Sequence, residues 1–199
     1  MQRNADIRAS TPGRVARGGC SLAPARLLRP VWAEVDLAAF RSNVEAIASL
    51  LAKGTKVMPV IKADGYGIGA TMAAKAVRDL PYIAGFAVAT PEEALKLRED
   101  GIDETVLVLG PVTAEAAEEM VRAGVSITAA SVRGLKEAVS AGEKTGLRPK
   151  IHLKIETGMN RIGLFPGREL EEALEILSGG GAEFEGVFTH FSSADVDRE

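Results

Sequence analysis

Six times between residues 57 and 189 the chain lays down a short apolar run, and a longer stretch with helical spacing follows each of the first five. The runs are 57–61, 83–89, 105–109, 125–129, 150–155 and 184–189, rich in Val, Ile and Leu and continuous rather than alternating. A continuous run buries both faces of a strand, as parallel strands covered by helices do. The starts fall roughly 20 to 35 residues apart, the length of one strand plus one crossover helix. Repetition of that unit restricts the chain to a parallel α/β fold.

The intervening stretches carry helix punctuation. Asp36 precedes an apolar stripe of Leu37, Phe40, Val44, Ile47 and Leu51, which predicts a helix over 37–52 stopped by Gly54. Ala70, Ala73, Ala74 and Val77 make a small packing face over 70–79. Thr90-Pro91-Glu92-Glu93 is a capping box with proline at the first helical position, so a helix over 91–100 is expected. Thr113 and Ser131 cap two more, the second running to about Ala141 with Gly142 and Gly146 in the loop beyond. A last helix is expected over 168–178.

Two closures fit this pattern, an open doubly wound sheet and an eight-stranded barrel. No fingerprint for a reversal of strand order is visible. The expected fold is therefore a parallel (β/α)8 TIM-type barrel, truncated after about the sixth strand. Two more units would need on the order of 50 further residues.

Bulk composition limits the remaining choices. The 199 residues are 46% hydrophobic and 26% charged, with a net charge of −3, so nothing points to nucleic acid or to a membrane surface. A single cysteine, Cys20, excludes an internal disulfide framework and fits a cytoplasmic compartment. No metal site is expected. Residues 1–29 hold six arginines and one acid, and without them the chain carries 18 basic and 26 acidic residues. This extension reads as disordered or as targeting-like. Residues 30–199 form the incomplete barrel domain, with ordered structure expected from about Val31 and a short extended lead-in through Trp32.

Three places could carry chemistry. Lys62 closes the first apolar run and is followed by Ala63-Asp64-Gly65-Tyr66-Gly67-Ile68-Gly69. An amine delivered to a strand tip beside a glycine-rich loop is placed for nucleophilic work, and the Tyr66 phenol can donate to a phosphate. The same glycines loosely match a dinucleotide fingerprint, but the next strand ends in Ala89-Thr90 without the acid that motif needs. The second place is Lys154-Ile155-Glu156-Thr157-Gly158-Met159-Asn160-Arg161-Ile162-Gly163. A strand lysine among apolar neighbours is costly unless paired or modified, although Lys154 and Glu156 could form a surface ladder. Arg161 suits an anionic ligand. The third is Thr189-His190-Phe191, where a strand-end histidine could simply pack or could lie against a flat ring.

Taken together, Arg29-Pro30-Val31-Trp32-Ala33-Glu34-Val35-Asp36-Leu37, the lysine block and the Lys154–Arg161 block with Thr189-His190-Phe191 resemble the alanine racemase family. Those enzymes use pyridoxal 5'-phosphate and carry a C-terminal β domain after the barrel, a domain absent here. The resemblance implies that Lys62 links the cofactor and is one of two acid–base groups. It implies that Tyr66 binds the phosphate, and that Arg161 lies beside the cofactor ring oxygen and the substrate carboxylate. It further implies that Lys154 is a carbamate in many members and that His190 lies near the pyridine ring. Members often carry histidine where this chain has Ile68. The second base, a tyrosine acting across a homodimer, has no counterpart here.

The expected function is that of an amino-acid racemase, an isomerase interconverting L-alanine and D-alanine for peptidoglycan precursors. The 199 residues alone are expected to be inactive. The alternative is a non-catalytic barrel that carries pyridoxal phosphate. Substrate choice among alanine, serine and basic amino acids is not legible in these residues.

Overall fold

A computed structural model describes residues 33–195; the 1–29 extension and Trp32 lie outside the described residues. In chain order the elements are α1 (Leu37–Ser49), α2 (Lys62–Tyr66), α3 (Ala70–Val77), β1 (Phe86–Val88), α4 (Pro91–Glu99), β2 (Val106–Val108), α5 (Ala114–Arg122), β3 (Ser126–Ala129), α6 (Val132–Thr145), β4 (Lys150–Lys154), α7 (Arg168–Ser178) and β5 (Glu183–Phe188).

The sheet runs β1-β2-β3-β4-β5, every pair parallel. Each helix returns the chain to the next place on the same side of the previous strand. A doubly wound sheet would reverse its order at a switch point, so consecutive order selects the barrel topology. The first predicted strand, 57–61, is present only as two parallel bridges to the β1 side, Val57 with Ile83 and Val60 with Ala87. The offset between them changes by one residue. Pro59 sits between the bridges and has no N–H to donate, so a continuous ladder cannot form there.

Caps fall where the side chains predict them. Asp36 Oδ1 accepts N–H bonds from Ala38 and Ala39, both at 2.9 Å, and the Thr90–Glu93 box is closed in both directions. Two expectations need correction. α6 runs through Gly142 to a left-handed cap at Gly146. Gly142 is a packing residue, because a Cβ there would lie 2.6 Å from Pro149 Cδ. α1 buries only Val44 of its predicted stripe, leaving Ile47 and Leu51 exposed.

Strand alternation divides the sheet at β3 and β4 into two unlike faces. Ile127, Ala129, Ile151 and Leu153 join the apolar core with the helices, each large side chain worth about 1.5–3 kcal/mol of burial. The opposite face carries Ser126, Thr128, Lys150, His152 and Lys154. β5 is the outer strand of the sheet, and its Phe184 and Val187 are exposed.

Candidate functional site

The C-terminal ends of the strands form one rim, and the lysine block enters it through an unusual turn. Ile61 still pairs with the sheet, its N–H bonded to Ala87 O at 2.8 Å. After Lys62, the backbone turns left-handed at Ala63 (φ 51°, ψ 48°), Asp64 (φ 50°, ψ 47°), Gly65 (φ 64°, ψ 34°) and Tyr66 (φ 56°). The sequence predicts a glycine-rich loop here; over residues 63–66 the structure has a left-handed helical turn in which only Gly65 is glycine. Such a turn costs about 1–2 kcal/mol for each residue with a Cβ. Asp64 contributes to holding it, its Oδ1 accepting the first N–H of α3, from Ala70, at 2.8 Å. Lys62 and Tyr66 are brought together by the turn, with Nζ 6.0 Å from the ring centre. Lys62 is half-buried and Tyr66 is exposed.

At the end of β4, Lys154 is 3% exposed and Glu156 5% exposed, which excludes the surface ladder. Lys154 Nζ donates to Ile155 O at 3.3 Å and lies 5.7 Å from the Phe188 ring centre. It has no carboxylate partner among the described residues. Glu156 turns into the loop that follows and accepts the N–H groups of Gly158 at 2.6 Å and Arg161 at 3.3 Å. The backbone N–H of Asn160 above all, with those of Gly158, Arg161 and Met159, holds its carboxyl below the usual glutamate range against the opposing effect of burial. Arg161 is thus placed by its backbone, while its guanidinium makes no hydrogen bond or ion pair among the described residues. It lines a cavity of about 380 Å³ together with Thr128, Ser131, Glu156, Asn160 and Phe165.

A pH dependence follows from Glu156. A carboxyl whose folded pKa is depressed contributes stability above its unfolded value and loses it as pH falls through the folded value. The 157–161 loop should therefore stay ordered down to the ordinary glutamate value of about 4.3 and loosen below it. Side-chain titration by NMR checks this; a Glu156 midpoint at or above the ordinary value would refute it.

At the end of β5, Thr189 Oγ1 donates to Ile155 O at 2.8 Å and meets Thr157 Oγ1 at 2.6 Å, stitching the tips of β4 and β5. His190 is exposed, and its Nδ1 lies 2.7 Å from Phe191 O, a contact that requires the proton on Nδ1. Three strands, β1 to β3, lie between the Lys62 segment and β4 in the sheet order. No hydrogen bond or ion pair among the described residues joins Lys62 and Tyr66 to Arg161 or His190.

A polar group on the inner sheet face escaped the sequence reading. Glu185 accepts from Ser126 Oγ and pairs with Lys150 Nζ at 3.3 Å and His152 Nε2 at 3.4 Å. Burial pushes the His152 imidazole down, against the opposing pull of Glu185. Glu185 reaches these partners from a β-bulge, since Ile151 pairs with Phe184 and His152 with Gly186. Strict alternation gives no signal for an extra residue of that kind.

The rim thus offers an amine, a phenol and a guanidinium, none of which hydrogen-bonds to the protein among the described residues. This donor set fits a ligand with a carbonyl carbon and anionic groups, as pyridoxal phosphate has. Residues 35–199 match the family described as alanine racemase, N-terminal domain. The chain is 39% identical over 172 residues to the alanine racemase of Limosilactobacillus fermentum, covering 85% of this chain and 46% of that protein. It superimposes on the alanine racemase of Clostridium difficile 630 with a TM-score of 0.79 at 34% identity, covering 85% of this chain and 44% of that one. The alanine racemase of Bacillus anthracis solved with bound L-Ala-P gives 0.73 at 33% identity, with coverages of 86% and 44%. The chain therefore spans about half the length of the relatives it matches.

Proposed function

The chain belongs to the alanine racemase N-terminal domain family, and from that premise we propose that it is the cofactor-bearing barrel portion of a pyridoxal-phosphate-dependent racemase of a small amino acid, alanine first. The observation that carries this reading is the Lys62 amine at the sheet's C-terminal rim, which makes no hydrogen bond or ion pair among the described residues and lies on the same turn as the Tyr66 phenol. Pyridoxal phosphate, when bound, supplies the electron sink that acidifies the α-carbon of an amino acid. Lys62 Nζ would hold the cofactor and would serve as the group that moves the α-proton on one face. Tyr66 donates to the phosphate. Arg161, fixed by Glu156 through its backbone, binds the substrate carboxylate with its fork. Lys154 is the carbamate candidate: an anionic carbamate would remove the cost of burying an ammonium that has no carboxylate partner among the described residues. His190 would lie near the cofactor ring.

A two-base reaction needs an acid–base group on the opposite face. Tyr82 does not serve, because it lies at the N-terminal side of the sheet beside Glu45, Ser49 and Leu80, with its hydroxyl buried. The reading therefore assigns racemisation to a homodimer of a protein as long as the relatives, and none to the 199 residues alone. Incubation with alanine in deuterated buffer tests it. α-Deuteration should require a chain of the relatives' full length. Exchange by the 199-residue chain would refute the division of labour. Bound cofactor with no exchange from the long form would favour a carrier.

A further inference from the structure

The left-handed turn behind Lys62 is held by a carboxylate from another helix. Glu93, in the first turn of α4, sends Oε1 to the Ala63 N–H at 2.7 Å. Its Oε2 accepts the Ala89 N–H at 2.7 Å and the Thr90 N–H at 3.3 Å. One side chain therefore ties the residue after Lys62 to the end of β1 and to the start of α4. A capping box needs only one of these oxygens. The other is used thirty residues away, on the backbone of the exposed residue Ala63.

Ala63 is where this matters. It is the first residue of the turn with positive φ, and its Cβ makes that conformation unfavourable. Strained backbone persists only where the surroundings over-determine it. Asp64 fixes the far end of the turn through Ala70, and Glu93 fixes the near end, next to the lysine. A backbone N–H bonded to a carboxylate is a charge-assisted bond, stronger than the neutral bonds inside the turn. The geometry points to Glu93 as a positioning residue that holds the Lys62 turn in its left-handed form and so sets the direction of the Lys62 amine. This rests on reading Lys62 as the cofactor-bearing amine. An aspartate would be one methylene short of bridging both amides. A glutamine offers one accepting oxygen where two are needed.

Glu93→Gln in the whole 199-residue chain tests the inference with two readouts. Amide exchange by NMR needs no cofactor: the Ala63 N–H should exchange about tenfold faster, with the amides of β2 to β4 unchanged. Borohydride trapping of pyridoxal phosphate on Lys62 should slow in parallel. Thr90→Val weakens the α4 cap without touching Ala63 and should leave both readouts at their wild-type values. Adding Ala63→Gly to Glu93→Gln removes the steric cost of positive φ and should restore trapping, which mere recapping of α4 cannot explain. Unchanged Ala63 exchange in Glu93→Gln, an equal effect from Thr90→Val, or no rescue by Ala63→Gly would each overturn the assignment. Absence of trapping on wild-type Lys62 would refute the cofactor reading instead, and amide exchange would still decide the role of Glu93.

Discussion

Lys62→Ala is expected to abolish site-specific capture of pyridoxal phosphate by borohydride reduction. In the wild-type chain, peptide mapping should find the label on the segment containing Lys62. In the variant it should fall to the level of ordinary surface lysines. The expectation follows from placement. Lys62 ends an extended segment docked on β1, is half-buried, and sits on the same turn as a phenol suited to a phosphate. Lys154 lies on the polar sheet face, but at 3% exposure it is shielded. Since Lys62 makes no hydrogen bond or ion pair among the described residues, its truncation should leave the melting temperature nearly unchanged. Loss of label would then be chemical rather than conformational. Undiminished labelling in Lys62→Ala would end the proposed role.

Gly163→Ala should destabilise the domain by about 2–4 kcal/mol, combining backbone strain with overpacking. Gly163 has φ 140°, and a Cβ there would meet Glu156 N at 2.8 Å, Ile155 C at 3.0 Å and Lys154 O at 3.1 Å. These are backbone atoms, and they cannot give way cheaply. Glu156 N–H is bonded to Leu164 O at 3.0 Å and Leu164 N–H to Lys154 O at 2.8 Å, which closes the neck of the loop carrying Arg161. Gly158 is the internal comparison. It too has positive φ, but the nearest atom to its added Cβ is a Ser192 side chain at 3.7 Å, so Gly158→Ala should cost less. Urea denaturation of the two variants decides the matter. A Gly163→Ala loss below about 1 kcal/mol would contradict the steric argument.

The elements were legible because their signals are local. Apolar runs, the Asp36 cap and the Thr90–Glu93 box each lie within a few residues and report on their own segment. Lys62 and His190 could be named as candidates because each follows directly on such a run, Lys154 because it lies inside one among apolar neighbours, and Arg161 because it lies in the glycine-flanked loop that follows. The missed features depend on which groups meet in space, near or far along the chain, and not on the apolar pattern. Glu93 satisfies a cap locally, so nothing in its neighbourhood advertises the bond to Ala63. Glu156 reads as one half of a ladder with Lys154, yet it turns into its own loop to collect backbone N–H groups. Glu185 is carried inward by a bulge that period-2 alternation cannot register. Gly142 reads as a helix stop until Pro149 is seen packed against it.

By itself the sequence determined the parallel α/β repeat, the caps and the lysine at the first strand tip, because hydrophobic periodicity and capping are set by covalent neighbours. Tertiary structure decided the consecutive strand order, the left-handed form of the lysine turn and the burial of Lys154 and Glu156. Each of these depends on which distant groups come within hydrogen-bonding or van der Waals reach. For the lysine turn the physical reason is specific: a left-handed run of Ala, Asp, Gly and Tyr is unfavourable alone, and here it is held by the Glu93 and Asp64 carboxylates bonded to the N–H groups of Ala63 and Ala70.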